Sequence, residues 1–429
     1  MGRQDRATPV RICDRTGRTR GAGFVADHLG TVVTSHETVG DLGHIVVRAP
    51  DGSGCEVTAD AVTALPADAL ALVRTDGLGV RPLPIADRPA PPAGAYVHVH
   101  AHGWREARVL GTARAAHPTA EGLHPVGEAL ELAIGTDGRE ALEHGGAAGG
   151  PVLDAATGAV LAVLAGSLRT DHRAAGLALP LARAAARVPG GPLAALLRRN
   201  AATVPAHGAD LNLAGALRLA RLTHPAVHPA RTVARPAVAR LLDLFAASAP
   251  APGRPLVCGL VGEPGSGRTT VLAALADRRA AGTAPEPVLW LRGVDLRRGD
   301  TSLGDAVGRA LDRAHRAAAA AGETRGARPQ ARAEAPDAPA RHAARVAGDA
   351  GRPLLVLLDG PEEAPPSFAE GLPGWTSRTV DWLRRHGVRL ALACGPAYWE
   401  AAGALYPPDV LYGDGAPAGG SRPPCGSGT

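Results

Sequence analysis

The sequence predicts two folded domains of different class: an all-β domain built as a closed β-barrel or a pair of barrels, then an α/β domain whose parallel sheet has helices on both faces. Three observations predict it. The chain has 429 residues, enough for two or three domains at about 100 to 200 residues each. From residue 9 to about 181 it consists of short β-type runs broken by Gly, Pro and Asp at near-regular spacing, the pattern of barrels. Beyond residue 255 strand-length apolar runs alternate with helix-length segments, which builds a parallel sheet.

In order, the β-type runs are Pro9 to Cys13, Gly23 to Val25, Thr31 to Ser35, His44 to Arg48, Glu56 to Thr63, Leu70 to Thr75, Tyr96 to His102, Ala107 to Thr112, Ala129 to Ile134, Pro151 to Leu153, Ala159 to Leu164 and Gly176 to Pro180. Residues 182–200 read as a helix that ends the first domain, 1–202. A Pro-rich linker, 203–255, holds two short helices, Leu211 to Leu222 and Ala237 to Ala247. The second domain, 256–412, opens with an apolar strand, Leu256 to Val261, then a Gly-rich loop and a helix. Strand Val288 to Leu291, a helix around Leu303 to Ala321, strand Leu354 to Leu358, a helix near Arg378 to His386 and strand Val388 to Ala393 follow. Within it, 322–340 is low in complexity and expected to be a disordered insertion, and 413–429 is expected to be a disordered tail.

Composition sets the chemical limits. Apolar residues make up 45% and charged residues 20%, too apolar a chain for general disorder. With aromatics at only 3%, the cores must be built from Ala, Val and Leu. There is no lysine, so all 46 basic residues are arginine, a skew that points to the GC-rich genome of a high-GC bacterium. The net charge of +5 is spread without a basic run, which argues against nucleic acid as a partner. No apolar h-region and no uninterrupted apolar stretch of about 18 residues is found, so neither signal peptide nor membrane span is expected, and the location expected is cytoplasmic. The five cysteines (Cys13, Cys55, Cys258, Cys394, Cys425) are odd in number and widely spaced, and are read as reduced structural thiols.

In the first domain, GAGFVADHLGTVVTSHETV (21–39) and, much later, GGAAGGPVLDAATGAVLAVLAG (145–166) resemble the trypsin-like serine proteases. That family carries its general base in a TAAH motif and its nucleophile in GDSGGPV, so the resemblance implies a double β-barrel. Proteolysis on this fold needs a serine hydroxyl, a histidine to take its proton and an aspartate to orient the histidine. Laid over GDSGGP, Gly146 to Pro151 puts Ala148 at the nucleophile, which has no oxygen to attack with. Without gaps, Glu37 rather than His36 falls at the base, and Ala69 rather than Asp68 at the third position. A slip of one residue would restore His36 and Asp68, but in the gapless register a strand turns them to the opposite face. The resemblance thus implies a pseudoprotease, or a purely structural barrel. Backbone N–H groups of Gly146 and Ala148 could still receive a peptide carbonyl. His98, His100 and His102 alternate along one strand face, a spacing that permits metal, although solvent-facing histidines are the reading preferred.

In the second domain, Gly262-Glu263-Pro264-Gly265-Ser266-Gly267-Arg268-Thr269-Thr270 follows an apolar strand and opens a helix, the context of a phosphate-binding P-loop. Its glycines let N–H groups curl around phosphates at a helix N-terminus, and Thr269 would ligate Mg²⁺. One element departs from the motif: Arg268 stands where lysine is usual. Some 90 residues on, Leu354 to Asp359 reads as the strand ending in a Mg²⁺-coordinating aspartate, Asp359, with Glu362 or Glu363 able to polarise water. These motifs, with Ala391 to Glu400 after them, are similar to the STAND group of P-loop NTPases, which includes the NACHT domains. Gly395 replaces the arginine that those proteins usually carry there. The resemblance implies ATP or GTP with Mg²⁺, bound by Gly262, Gly265, Ser266, Gly267, Arg268, Thr269 and Thr270. A guanidinium is larger than an ammonium and prefers bidentate contacts, so hydrolysis is expected to be slow or absent.

The function expected is a nucleotide-binding regulator or adaptor whose inactive barrel domain binds an unknown peptide or protein, with oligomerisation possible. The alternatives are a slow STAND-type ATPase that drives a conformational switch, and a nucleotide-free scaffold.

Overall fold

The computed structural model describes residues 9–40, 42–88, 90–101, 103–119, 122–134, 146–166, 168, 176–221, 233–247, 253–281, 285–321 and 336–413. The chain divides into two compact units, Met1–Asn212 and Leu213–Thr429.

The first unit opens with β1 (Val10–Cys13), β2 (Thr19–Val25), β3 (Thr31–Ser35), β4 (His44–Arg48), β5 (Gly54–Thr58), β6 (Val62–Leu65) and β7 (Leu70–Arg74). They form one antiparallel sheet in the order β5-β4-β1-β2-β3-β7-β6. The run expected as one strand from Glu56 to Thr63 is two, broken by a 3-10 turn, Ala59–Ala61. There the Thr58 hydroxyl donates to Asp60, a local side-chain bond that competes with the ladder. β5 and β6 therefore end up at opposite edges of the sheet, although they are consecutive in the chain.

A closed barrel follows, of β8 (Tyr96–His100), β9 (Trp104–Thr119), β10 (Gly122–Ala133), β11 (Pro151–Asp154), β12 (Val160–Ala165) and β13 (Leu177–Pro180), in the order β10-β13-β12-β11-β8-β9. Of the pair of barrels expected, this one is closed by hydrogen bonds and the other is a seven-stranded sheet. β9 and β10 are much longer than the runs Ala107 to Thr112 and Ala129 to Ile134, because cross-strand pairing extends through Ala- and His-containing sequence of low β-propensity. As the composition requires, the cores are mainly aliphatic. Ile12, Val32, Ile45 and Val73 fill the sheet, Val97, Val99, Leu130 and Leu164 the barrel, and Phe24, Val33, Val160 and Leu196 a cluster shared by both.

The helix expected over 182–200 is two, α1 (Leu181–Arg187) and α2 (Pro192–Thr203), separated at Gly190-Gly191-Pro192. The fully buried Asn200 anchors α2. Its Nδ2 donates to the carbonyls of Ala26 (2.6 Å) and Leu83 (2.8 Å), and its Oδ1 accepts from Ile85 N (2.8 Å).

The second unit begins with α3 (Leu213–Arg221) and α4 (Pro236–Ala247), both from the stretch read as linker. They are part of its core: Leu242, Phe245 and Ala246 of α4 pack with Leu272 and Leu275, and Arg389 caps α4 by donating to the carbonyls of Phe245 and Ala246. Next come β14 (Val257–Val261), α5 (Arg268–Ala281), β15 (Val288–Arg292), α6 (Leu303–Ala321), α7 (Ala338–Asp349), β16 (Leu355–Asp359), α8 (Pro366–Ala369), α9 (Leu372–His386), β17 (Arg389–Cys394) and α10 (Pro396–Gly403). All four strands are parallel, in the order β14-β17-β16-β15. Leu411 adds an isolated parallel bridge to Val257.

Part of the segment expected to be disordered, 322–340, is helical: α7 starts at Ala338 and buries Ala340, Ala343, Ala344 and Ala347. That stripe has helical spacing, but its side chains are so small that it reads as low complexity. Residues 322–335, 414–429, His102 and Cys425 lie outside the described residues. Among the described residues, Cys13, Cys55, Cys258 and Cys394 are not joined in disulfides. Among the described residues no helix is long and apolar enough to cross a membrane.

Candidate functional site

In the first unit β3 ends at Ser35 and runs into a 3-10 turn, His36–Thr38. The Gly146 to Gly150 loop sits against it. Ala22 N donates to Ala148 O at 2.7 Å, and Gly149 N to Leu164 O at 2.7 Å. Gly149 has φ +82°, and a Cβ there would collide with the Thr34 hydroxyl and the Ala22 carbonyl. The position requires glycine on both grounds.

The side chains expected around this loop each have a separate partner. Glu37 Oε1 accepts from Gly166 N at 2.7 Å, just past β12. His36 turns instead to His117 on β9: Nδ1 and Nε2 are 3.2 Å apart, with the rings perpendicular. Ala69 is buried in a left-handed conformation (φ 51°), and its carbonyl accepts from His36 N at 2.8 Å. Asp68 pairs with Arg187 of α1 at 3.3 Å; burial pushes its carboxyl up, and the Arg187 charge opposes this. Of the strand histidines, His98 lies opposite Glu106 in the ladder, and His100 packs its ring against Trp104.

Sequence reading missed His117, whose partner is 81 positions away. Burial, then the neighbouring His36 and His124, holds its imidazole below the usual histidine value. The folded pKa therefore lies below the unfolded one, and between the two the unfolded chain binds more protons. The stability His117 contributes is complete above about 6.5 and is lost as pH falls toward the folded value. Thermal denaturation of the first unit should show that acid limb, and His117→Gln should flatten it; an unchanged slope would assign the limb to other groups.

In the second unit the parallel order sets the C-terminal ends of β14, β17 and β16 side by side, where α/β sheets bind their ligands. The loop Gly262 to Gly267 leaves β14 there, with Gly262 N donating to Cys394 O at 3.2 Å. Gly265 (φ +81°) and Gly267 (φ +83°) are left-handed, and an added Cβ would meet nothing, so the backbone angle and not space calls for glycine. α5 starts at Arg268. Thr269 Oγ1 donates to Asp359 Oδ1 at 3.1 Å. Burial pushes the Asp359 carboxyl above the usual carboxylate range, Glu363 adds to this, and the Thr269 hydrogen bond and Arg268 oppose it. Arg268 Nη1 lies 3.1 Å from Glu362 Oε1, and Gly395 N donates to the same oxygen at 3.0 Å. Glu363 faces Arg292 at 3.5 Å. Thr270 follows on the first turn of α5. Arg292 carried no signal in the sequence, and Gly395 stood out only as a departure from the motif; their contacts with Glu363 and Glu362 follow from the order of the strands.

Residues 21–163 match the family profile of the trypsin-like peptidase domain, so the first unit carries such a domain. Among solved structures the chain is similar to the Rv3671c protease in its inactive form (24% identity, 43% of this chain and 90% of that one, TM-score 0.33). It is also similar to the active form from M. tuberculosis (24%, 43% and 80%, TM-score 0.33) and to Deg5 (20%, 43% and 89%, TM-score 0.33). A search of curated proteins found no match.

Proposed function

We propose that the chain is a nucleotide-binding regulator or adaptor: its second unit is a P-loop domain of STAND type that takes ATP or GTP with Mg²⁺, and its first unit is a trypsin-like domain that binds a peptide or protein segment without cleaving it. The observation that carries the reading is the Thr269–Asp359 pair, a hydroxyl and a carboxylate 3.1 Å apart though 90 positions apart in sequence. This is the oxygen donor set Mg²⁺ prefers. Other features fit the same ligand. Ser266 Oγ is buried in the glycine loop without a hydrogen-bond partner. The half-buried Asp359 carboxylate is one a cation would stabilise.

In this reading Thr269 and Asp359 hold Mg²⁺, which supplies charge neutralisation to the phosphates when bound. Gly262, Gly265, Ser266 and Gly267 cradle those phosphates with their backbone, Thr270 extends the cradle along α5, and Arg268 approaches the outermost oxygens. Slow turnover is supported by the pairing of both water-polarising candidates, Glu362 with Arg268 and Glu363 with Arg292. For the first unit, binding without cleavage is supported by the methyl group of Ala148 and by the separate engagements of Glu37, His36 and Asp68.

Thermal unfolding of the full chain tests the reading. ATP or GTP with Mg²⁺ at about 100 times Kd adds roughly 2.7 kcal/mol to the native state, which should raise the transition of the second unit by about 5 to 10 °C. No shift with either nucleotide would leave the scaffold as the remaining role.

A further inference from the structure

We propose that Glu362 is a built-in competitor of the nucleotide's terminal phosphate for Arg268, holding its guanidinium until a triphosphate displaces it; the inference rests on the nucleotide-binding reading above. One oxygen, Glu362 Oε1, takes two donors, Arg268 Nη1 at 3.1 Å and Gly395 N at 3.0 Å. They arrive from different elements. Arg268 is the first residue of α5, Glu362 belongs to the 3-10 turn Pro361–Glu363 after β16, and Gly395 is the N-cap of α10 after β17. The loops leaving three adjacent strands are thus tied through a single carboxylate oxygen.

Arg268 and Glu362 have 17% and 33% of their side-chain surface exposed, so water screens the pair only in part. The adjacent Glu363 is engaged elsewhere, with Arg292. Arginine in place of lysine matters here because its fork reaches a carboxylate and offers it directed donors. A terminal phosphate offers the same kind of charged oxygens, so phosphate and Glu362 compete for one guanidinium. When phosphate takes Arg268, Glu362 loses its charged partner and retains the Gly395 N–H at the start of α10, the contact through which occupancy reaches that helix. A diphosphate lacks the third phosphate whose charge draws Arg268 from Glu362, and leaves the pair largely intact. The result is selectivity for triphosphate set by an ion pair within the protein.

The test is calorimetric titration of the full chain with Mg²⁺ and the β,γ-imido analogues of ATP and GTP, alongside the corresponding diphosphates. Four chains are compared: wild type, Glu362→Gln, Arg268→Ala and the double variant. Glu362→Gln should tighten analogue binding roughly three- to tenfold when Arg268 is present, leave the diphosphate within about twofold, and tighten nothing in the Arg268→Ala background. Equal tightening in both backgrounds would reduce Glu362 to a source of simple charge repulsion and overturn the proposal, as would no tightening at all, while the nucleotide-binding reading would stand. Failure of every chain to bind either analogue would remove that reading and the proposal together.

Discussion

Asp359→Asn is expected to erase the Mg²⁺-dependent part of the nucleotide-induced thermal shift. The asparagine keeps an oxygen in place for the Thr269 hydroxyl, which donates to Oδ1 at 3.1 Å in the wild type, so the local geometry survives. What disappears is the negative charge that a divalent ion needs. Even partners one step removed from a metal typically contribute about 10- to 100-fold to its affinity, and loss of a direct ligand should cost at least as much. The shift with Mg²⁺ should therefore fall to the one seen in chelator. The variant without nucleotide should melt no lower than wild type, since a half-buried carboxylate with one hydroxyl donor gives way to a neutral amide. An undiminished Mg²⁺ effect would move the ion away from Asp359 and take the principal support from the proposed P-loop function.

Ala148→Ser is expected to leave the first unit without measurable proteolysis. The new hydroxyl would need a base within hydrogen-bond reach and a carboxylate behind that base, and each of the three candidate side chains is engaged with another partner. Glu37 holds the Gly166 N–H, His36 the ring of His117, and Asp68 the guanidinium of Arg187. Loss of a triad base alone lowers turnover by about 10⁶-fold in the best-measured case. Neither wild type nor Ala148→Ser should be labelled by a fluorophosphonate probe. Labelling of the serine variant would require His36 to leave His117 and reach position 148, and would restore the one-residue slip that puts His36 and Asp68 in the catalytic roles.

The sequence by itself determined what is encoded over a few neighbouring residues. β3 and β4 fall where their β-branched runs end, α6 spans Leu303–Ala321 as its periodicity requires, and the left-handed glycines at 265 and 267 stand in the motif that needs them. Local reading failed where the signal was weak. α7 hides its buried face behind alanines, and Thr58 and Asp60 break a β run with side-chain bonds that no apolar pattern records. The tertiary structure alone decided the pairs. Thr269 meets Asp359, and Arg268 meets Glu362, because β17 lies between β14 and β16. His36 meets His117 because the barrel brings β9 to the turn after β3. Strand order is set by which faces bury best against one another across the whole unit, whereas a motif fixes only the backbone angles and side-chain types within a single loop.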